Sequence, residues 1–325
     1  MGNRFWKDKR VLITGYEGFL GSHLTSALLR YGAKIWGLDI KTHRKETILS
    51  KDDLDKIKIF KGSVENFSVI SKIINENKIE FIFHLAAKSL VGDCLKKPIK
   101  AFSTNIKGTW NILEASRNNT TIKAIVIASS DKAYGSHKEL PYKEDTPLLG
   151  SHPYDVSKSC SDLIAHTYFH TYGLPVAITR CGNIYGPGDF NFSRIVPDAI
   201  RCALSGKMLL IRSDGKFTRD YVFVDDIVDG YILLAEELQE LKLGGEAFNF
   251  SNENPISVKK LVEKIYKIAN KNPNYQVINQ AKYEIKHQYL SSAKARKILG
   301  WEPKFNLDES LKITIDWYKN YFNKK

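Results

Sequence analysis

The sequence predicts an α/β fold: a doubly wound parallel sheet with a smaller, discontinuous α/β lobe. Three observations point there. Short apolar runs, too continuous for strands wetted on one face, alternate with helical periods. A glycine-spaced turn, Gly15-x-x-Gly18-x-x-Gly21, links the first run to the first helix. The rhythm then breaks after Arg180, where Gly182, Gly186-Pro187-Gly188 and Asn191 mark loops.

Val11-Leu12-Ile13-Thr14 reads as the first strand, and Phe19 to Arg30 carries apolar residues at a helix period. Ile35 to Leu38 is a second strand ending at Asp39, and Lys58-Ile59-Phe60 a third. Val69 to Asn77 is helical, and Phe81 to Leu85 a fourth strand. Thr109 to Arg117 is helical, followed by a fifth strand at Ala124 to Ala128. A long helix from Asp155 to Tyr172 precedes a sixth strand, Val176 to Thr179. Buried strands alternating with helices give a parallel sheet covered on both faces. Beyond it, Ile195 to Ser205 is helical, while Val222-Phe223-Val224 and Ala247 to Phe250 are expected to return to the sheet. The tail from Ser257 reads as mostly helical. The expected division is 1–180 with 216–250 for the large domain, and 181–215 with 251–325 for the lobe.

With 325 residues and 43% hydrophobic content, the chain can bury a large core. No apolar run reaches the roughly 18 residues that cross a bilayer, so no membrane association is expected. Cys94, Cys160, Cys181 and Cys202 are scattered, without CxxC or metal-ligand spacing. Reduced thiols in a cytoplasmic protein are the plain expectation, and no metal is called for. The net charge is +13. Its lysines are dispersed, with no basic run or nucleic-acid module, so a solvated surface that attracts an anionic small molecule is expected rather than nucleic acid.

The glycines follow a strand and open a helix, the context that makes such a loop a dinucleotide site. Gly15 permits the turn, Gly18 admits the pyrophosphate, and Gly21 lets helix and strand pack closely. Phe19 and Leu20 begin the helix whose unpaired N–H groups face the phosphates. Asp39, at the end of the second strand, suits a ribose diol and repels a 2′-phosphate, so NAD is expected over NADP. His43 and Arg44 lie nearby. A second constellation is Tyr154-x-x-x-Lys158, four residues apart on one helix face. A phenol beside a fixed ammonium loses its proton more readily. Next to a nicotinamide, such a phenolate makes a hydride-transfer site.

These pieces, in one order from about residue 8 to 255, resemble the extended short-chain dehydrogenase/reductases that act on nucleotide sugars. The matching stretches are Thr14 to Gly21, His84-Leu85-Ala86-Ala87, Thr104-Asn105-Ile106-Lys107-Gly108-Thr109, Tyr154-x-x-x-Lys158, Arg180-x-x-Asn183-x-Tyr185-Gly186-Pro187-Gly188, and Arg219-Asp220-Tyr221-Val222-x-Val224-Asp225-Asp226. The resemblance implies a Rossmann domain holding NAD, a nucleotide-sugar substrate and a homodimer. It implies that Tyr154 is the base for the sugar hydroxyl, that Lys158 holds the nicotinamide ribose, and that Ser130 hydrogen-bonds the reacting oxygen. Leu85, Ala86 and Ala87 would line the cofactor. Asn183 and Arg219 would hold the pyrophosphate, with Ser89 and Arg194 also in the substrate site. Asn105 would be structural. Gly62-Ser63-Val64 departs from the pattern, since many relatives carry an aspartate there that reads the adenine. The dimer is expected to pair the helix before the fifth strand with the Tyr154 helix, where Leu163, Ile164 and Tyr168 are apolar.

The reaction depends on the neighbours of Ser130. Epimerases typically carry small or neutral residues at the next two positions, whereas this chain has Asp131 and Lys132. The run Ser129-Ser130-Asp131-Lys132 is similar to the nucleotide-sugar 4,6-dehydratases, in particular the CDP-glucose branch, as is Phe5-Trp6-Lys7-x-Lys9-Arg10-Val11. The resemblance assigns Asp131 as the acid for the departing C6 hydroxyl. Lys132 stands where most 4,6-dehydratases carry the glutamate that removes the C5 proton. As a base it must be neutral, which requires its pKa to fall by about 3 units. Otherwise it anchors cofactor or substrate. Three readings follow: a 4,6-dehydratase first, a nucleotide-sugar 4-epimerase second, and a non-catalytic NAD-binding protein third.

Overall fold

The computed structural model describes residues 4–281 and 284–323. The ends of the expected 1–180 and 251–325 spans, and Lys282 and Tyr283 within the second, lie outside the described residues. The main sheet contains β1 (Arg10–Thr14), β2 (Lys34–Asp39), β3 (Ile57–Lys61), β4 (Phe81–His84), β5 (Ala124–Ala128) and β6 (Val176–Cys181). Smaller sheets use β7 (Asn183–Tyr185), β8 (Leu209–Ile211), β9 (Thr218–Arg219) and β10 (Tyr221–Phe223). The seventh main strand is β11 (Ala247–Phe250), followed by β12 (Ile256–Ser257), β13 (Tyr275–Val277) and β14 (His287–Gln288).

The main sheet runs β11-β6-β5-β4-β1-β2-β3, and its pairings are parallel. The order reverses between β1 and β4, which opens a crevice at the carboxyl ends of those two strands. Alternate residues feed opposite cores. Val11, Ile13, Phe81, Phe83 and Val126 pack on one side. Leu12, Ile82, Ile125 and Ile127 pack on the other, against Ile70, Ile73, Ile74, Ile112 and Leu113 of the covering helices. This is why the strands read as unbroken apolar runs. The helix Val224–Glu237 covers the first side through Ile227, Val228, Tyr231 and Leu234.

One expected strand lies elsewhere. Ala247–Phe250 does join the sheet, beside β6. Tyr221–Phe223, however, pairs with Asn183–Tyr185 in a separate two-stranded sheet, and Val224 already begins a helix. The side chains of Tyr221, Phe223 and Tyr185 belong to a third core with Ile200, Ile211, Leu261, Ile265, Leu311 and Tyr318. Hydrophobic content alone could not say which core that strand would serve. The third core packs against Phe19 and Leu20 at the start of the first helix, and β9 is the central strand of a three-stranded sheet, between β12 and β14.

Candidate active site

The glycine turn is built by backbone contacts. Gly15 has φ +74°, a left-handed value that suits glycine, and its N–H donates to Leu38 O at 2.8 Å. A Cβ on Gly15 would lie 3.1 Å from the backbone of Ala86, so the loop passes close to the chain leaving β4. A Cβ on Gly21 would come within 2.0 Å of Gly15 O. Gly18 is the N-cap of the helix Phe19–Arg30, with no side chain satisfying the first N–H groups. Thr14 fixes the opposite wall: its Oγ1 accepts from Leu85 N and Ala86 N, both at 3.2 Å. That oxygen also lies 2.8 Å from His84 Nδ1. Burial, with Lys158 nearby, pushes His84 down to about 3, so it stays neutral. Free helix N–H groups beside a cradle with no room for side chains fit the pyrophosphate of a dinucleotide.

Asp39 ends β2 with its side chain only 5% exposed. Its carboxylate accepts from Lys41 N at 3.1 Å and from Arg44 Nη2 at 2.9 and 3.0 Å. The expected ribose ligand is therefore already paired with a cation, which sequence reading had left merely nearby.

Ser130, Tyr154 and Lys158 meet at the end of β5. Tyr154 and Lys158 lie in the first two turns of the helix Pro153–Tyr172, which starts at a proline. The Lys158 ammonium is 6.0 Å from the centre of the Tyr154 ring. It donates to Ala128 O at 2.6 Å. Burial pushes Lys158 down to about 8. Burial raises the Tyr154 phenol, and a hydrogen bond with Ser130 pulls the other way. The ammonium spends a hydrogen bond on the Ala128 carbonyl, and a buried phenolate is costly unless a donor or a positive charge offsets it.

Asp131 and Lys132 open a short 3-10 turn, Asp131–Tyr134, capped by Ser130. Ser130 Oγ accepts from Lys132 N at 3.2 Å and donates to Asp131 Oδ1 at 3.0 Å. Lys132 Nζ pairs with Asp131 Oδ2 at 3.1 Å, and the two side chains are 16% and 6% exposed. Burial lowers the Lys132 pKa, against the opposing pull of Asp131, with Arg219 adding to the fall. Lys132 also donates to Gln288 Oε1.

The residues expected at the substrate are less gathered. Arg219 is buried, with Nη1 donating to Thr218 O at 2.9 Å and Lys286 O at 3.1 Å. Its Nη2 lies 3.9 Å from Glu284. Arg219 and Arg194 both act electrostatically on the reaction cluster, the first on Lys132 and the second on Tyr154. Arg194 caps the helix Ile195–Ser205 and pairs with Asp189 at 3.1 Å. Asn183 is tied to Asp220 O through its N–H at 3.0 Å. Ser89 is exposed in the loop after β4. Asn105 is buried and joins two elements: it accepts from Lys88 N at 2.7 Å and donates to Ser157 Oγ at 2.8 Å.

Sequence reading missed three neighbours. Asp155 is buried, its pKa raised by burial, and it feels both Lys132 and Asp131. His152 lies 3.3 Å from Asp155. Gln288 arrives from the tail. Position next to Tyr154 was a usable signal for Asp155; nothing in the local sequence singles out Gln288. Behind the cluster, Arg180 makes a two-pronged buried pair with Asp162, both at 2.8 Å, and donates to Tyr134 OH at 2.8 Å. Ser159 donates to Ala133 O at 2.8 Å. Together they fix the Asp131–Tyr134 turn to the Tyr154 helix.

The doubly wound sheet, the glycine cradle at its switch point and the Ser/Tyr/Lys cluster define an extended short-chain dehydrogenase/reductase. Comparison with known proteins agrees. The chain matches the family described as GDP-mannose 4,6 dehydratase over residues 12–314. It is 31% identical to a CDP-glucose 4,6-dehydratase of Salmonella typhimurium, over 97% of this chain and 92% of that protein. It is 30% identical to a UDP-glucuronate 4-epimerase of Thermodesulfobacterium geofontis, over 95% of each. Among solved structures, dTDP-glucose 4,6-dehydratase of Bacillus anthracis in complex with NAD superposes with TM-score 0.86. The two chains are 29% identical, with 97% of this chain and 98% of that one covered. The chain belongs to the GDP-mannose 4,6 dehydratase family, within the nucleotide-sugar dehydratases and epimerases. Among the described residues, no helix is long and apolar enough to cross a membrane.

Proposed function

We propose that the protein is an NAD-dependent nucleotide-sugar 4,6-dehydratase, converting an NDP-hexose to its 4-keto-6-deoxy form with loss of water. The observation that carries the reading is the Asp131–Lys132 pair, buried beside Ser130 on the turn packed against the Tyr154 helix. Gly15, Gly18 and Gly21 with Phe19 and Leu20 would cradle the pyrophosphate. Leu85, Ala86 and Ala87 would line the crevice, and Asp39 would take the adenine-side ribose. Bound NAD would accept the C4 hydride and return it to C6.

Tyr154 takes the proton of the C4 hydroxyl while Ser130 holds that oxygen. Lys158 fixes the ribose side, and its positive charge favours the phenolate form in which Tyr154 accepts that proton. The resulting ketone acidifies C5–H. Asp131 donates a proton to the C6 hydroxyl, which departs as water. Lys132, its pKa lowered by burial, accepts the C5 proton or holds Asp131 in place. Arg219 and Asn183 hold the pyrophosphate, with Arg194 and Ser89 at the sugar. The parts 1–180 with 216–250 and 181–215 with 251–325 would serve mainly cofactor and substrate respectively, with Ser89 and Arg219 reaching the substrate from the first part.

Asp39 supports a preference for NAD over NADP, although Arg44 would lower the penalty for a 2′-phosphate. Binding of each cofactor, measured side by side, tests this. A homodimer through the Gly108–Arg117 and Pro153–Tyr172 helices is supported by Trp110, 42% exposed, and Leu163, 57% exposed. Ile164 and Tyr168, by contrast, pack on the chain's own core. A cytoplasmic location fits the free cysteines.

The experiment for the reaction is the Asp131→Asn variant with an accepted NDP-hexose. C4 oxidation, read as reduced cofactor, should persist while elimination disappears. Equal loss of both steps would contradict the assignment of Asp131. A 4-epimerase is the second reading, supported by the 30% identity to the UDP-glucuronate 4-epimerase. It requires C4 inversion without deoxygenation.

A further inference from the structure

Gln288 is fully buried. An amide in that setting needs partners for both its ends. Both ends engage the same turn. Its Nε2 donates to Asp131 O at 2.7 Å, and its Oε1 accepts from Lys132 Nζ. The partners are 156 residues apart in sequence. Gln288 thus spans from the backbone of one site residue to the side-chain tip of the next. A lysine ammonium on a four-carbon stem has many positions open to it. Here two acceptors, Asp131 Oδ2 and Gln288 Oε1, reduce them to one.

The strand carrying Gln288 has a second link. β14 pairs in parallel with β9, in the register His287 to Thr218 and Gln288 to Arg219. Arg219 Nη1 also donates to Lys286 O at 3.1 Å. Arg219 and Gln288 are thus register partners on adjoining strands. We propose that Gln288 is a positioning residue that aims Lys132 at Asp131 and couples that pair to the strand bearing Arg219. The proposal rests on the reading that Asp131 and Lys132 work on the substrate, but its test reads Lys132 itself.

The charged groups around Lys132 are Asp131 on its own turn, Asp155 with its partner His152 on the Tyr154 helix, and Arg219 with Glu284 from the lobe. The experiment follows the titration of Lys132 by NMR in protein carrying 13Cε-labelled lysine, with Lys132→Met used to assign the signal. The wild type is compared with Gln288→Leu and Gln288→Glu. Leucine removes an acceptor, so the Lys132 midpoint should fall by about one pH unit. Glutamate adds a carboxylate at the same reach, so the midpoint should rise by about the same amount. Turnover of Gln288→Leu should fall about tenfold or more, the usual effect of losing a hydrogen bond to a charged group. An unchanged Lys132 midpoint in both variants overturns the proposal, even if activity and thermal stability drop. Should Gln288→Leu fail to fold, the near-isosteric Gln288→Glu still gives the upward shift or its absence. If the shifts occur but the wild type deoxygenates no sugar nucleotide, the positioning role stands and the dehydratase reading fails.

Discussion

The two ends of the crevice are made of different material. At the end proposed for the cofactor the main features are backbone: a left-handed Gly15, a helix start at Gly18 with no side-chain cap, and a helix pressed onto Gly15 O at Gly21. At the end proposed for the reaction they are side chains: Asp131, Asp155 and Lys158 are buried and Lys132 is partly exposed, with Tyr154 beside them. The first end costs little to build, because glycine spacing and helix geometry suffice. The second requires several ionisable groups to be taken out of water, and each must be paired or shifted. That contrast teaches where the protein is fragile. On the proposed reading, cofactor binding should fail when a side chain is added, and chemistry when a partner is removed.

The largest effect should come from Tyr154→Phe. On the proposed mechanism Tyr154 accepts the substrate proton, so its loss should lower turnover by roughly 10²–10⁴-fold, while calorimetric binding of NAD stays near the wild-type value. If NAD binding collapses as well, the two ends are not separable in the way described. Next in size is Arg180→Met, which leaves Asp162 buried and unpaired. Breaking such a pair costs roughly 3–5 kcal/mol, read as a large fall in the urea midpoint. Gly21→Ala tests the cofactor end directly. Its Cβ would lie within 2.0 Å of Gly15 O, so the helix must shift and NAD affinity should fall strongly, with the Lys132 and Lys158 environment unaltered.

The smallest effect concerns pH. Lys158 has its folded pKa pushed down to about 8, below its usual value near 10.4. The unfolded chain then binds more protons between those values, so stability rises with pH across that window. The destabilising contribution of Lys158 is complete below pH 8 and is relieved above it. Relative to Lys158→Met, the wild type should gain stability between about pH 8 and 10, by at most roughly 3 kcal/mol. A difference between the two proteins that does not change with pH would show that burial of the ammonium is not costly there.

The same contrast explains what could be read from sequence. Strands and helices of the main sheet were legible because each buries a face, and burial writes a period into the chain. Gly15, Gly18 and Gly21 were legible because their roles depend on local backbone shape. Tyr154 and Lys158 were legible as neighbours on one helix turn. Val222–Val224 was misread as a main-sheet strand, since its apolar pattern is the same whichever core receives it. The depth of burial around Tyr154 and the bond from the Lys158 ammonium to Ala128 O are tertiary facts that no local pattern carries. Gln288 and the pairing of Asp39 with Arg44 depend on where distant or looped segments come to rest, and no local pattern encodes that.

The central claim is tested most directly by mass spectrometry of a mixed pool of nucleotide hexoses incubated with the purified protein and NAD. The account predicts that one member of the pool loses the mass of one water, and that its product is a 4-keto-6-deoxy sugar. A product of unchanged mass with inverted C4, or a pool left unaltered while NAD binds tightly, would contradict it.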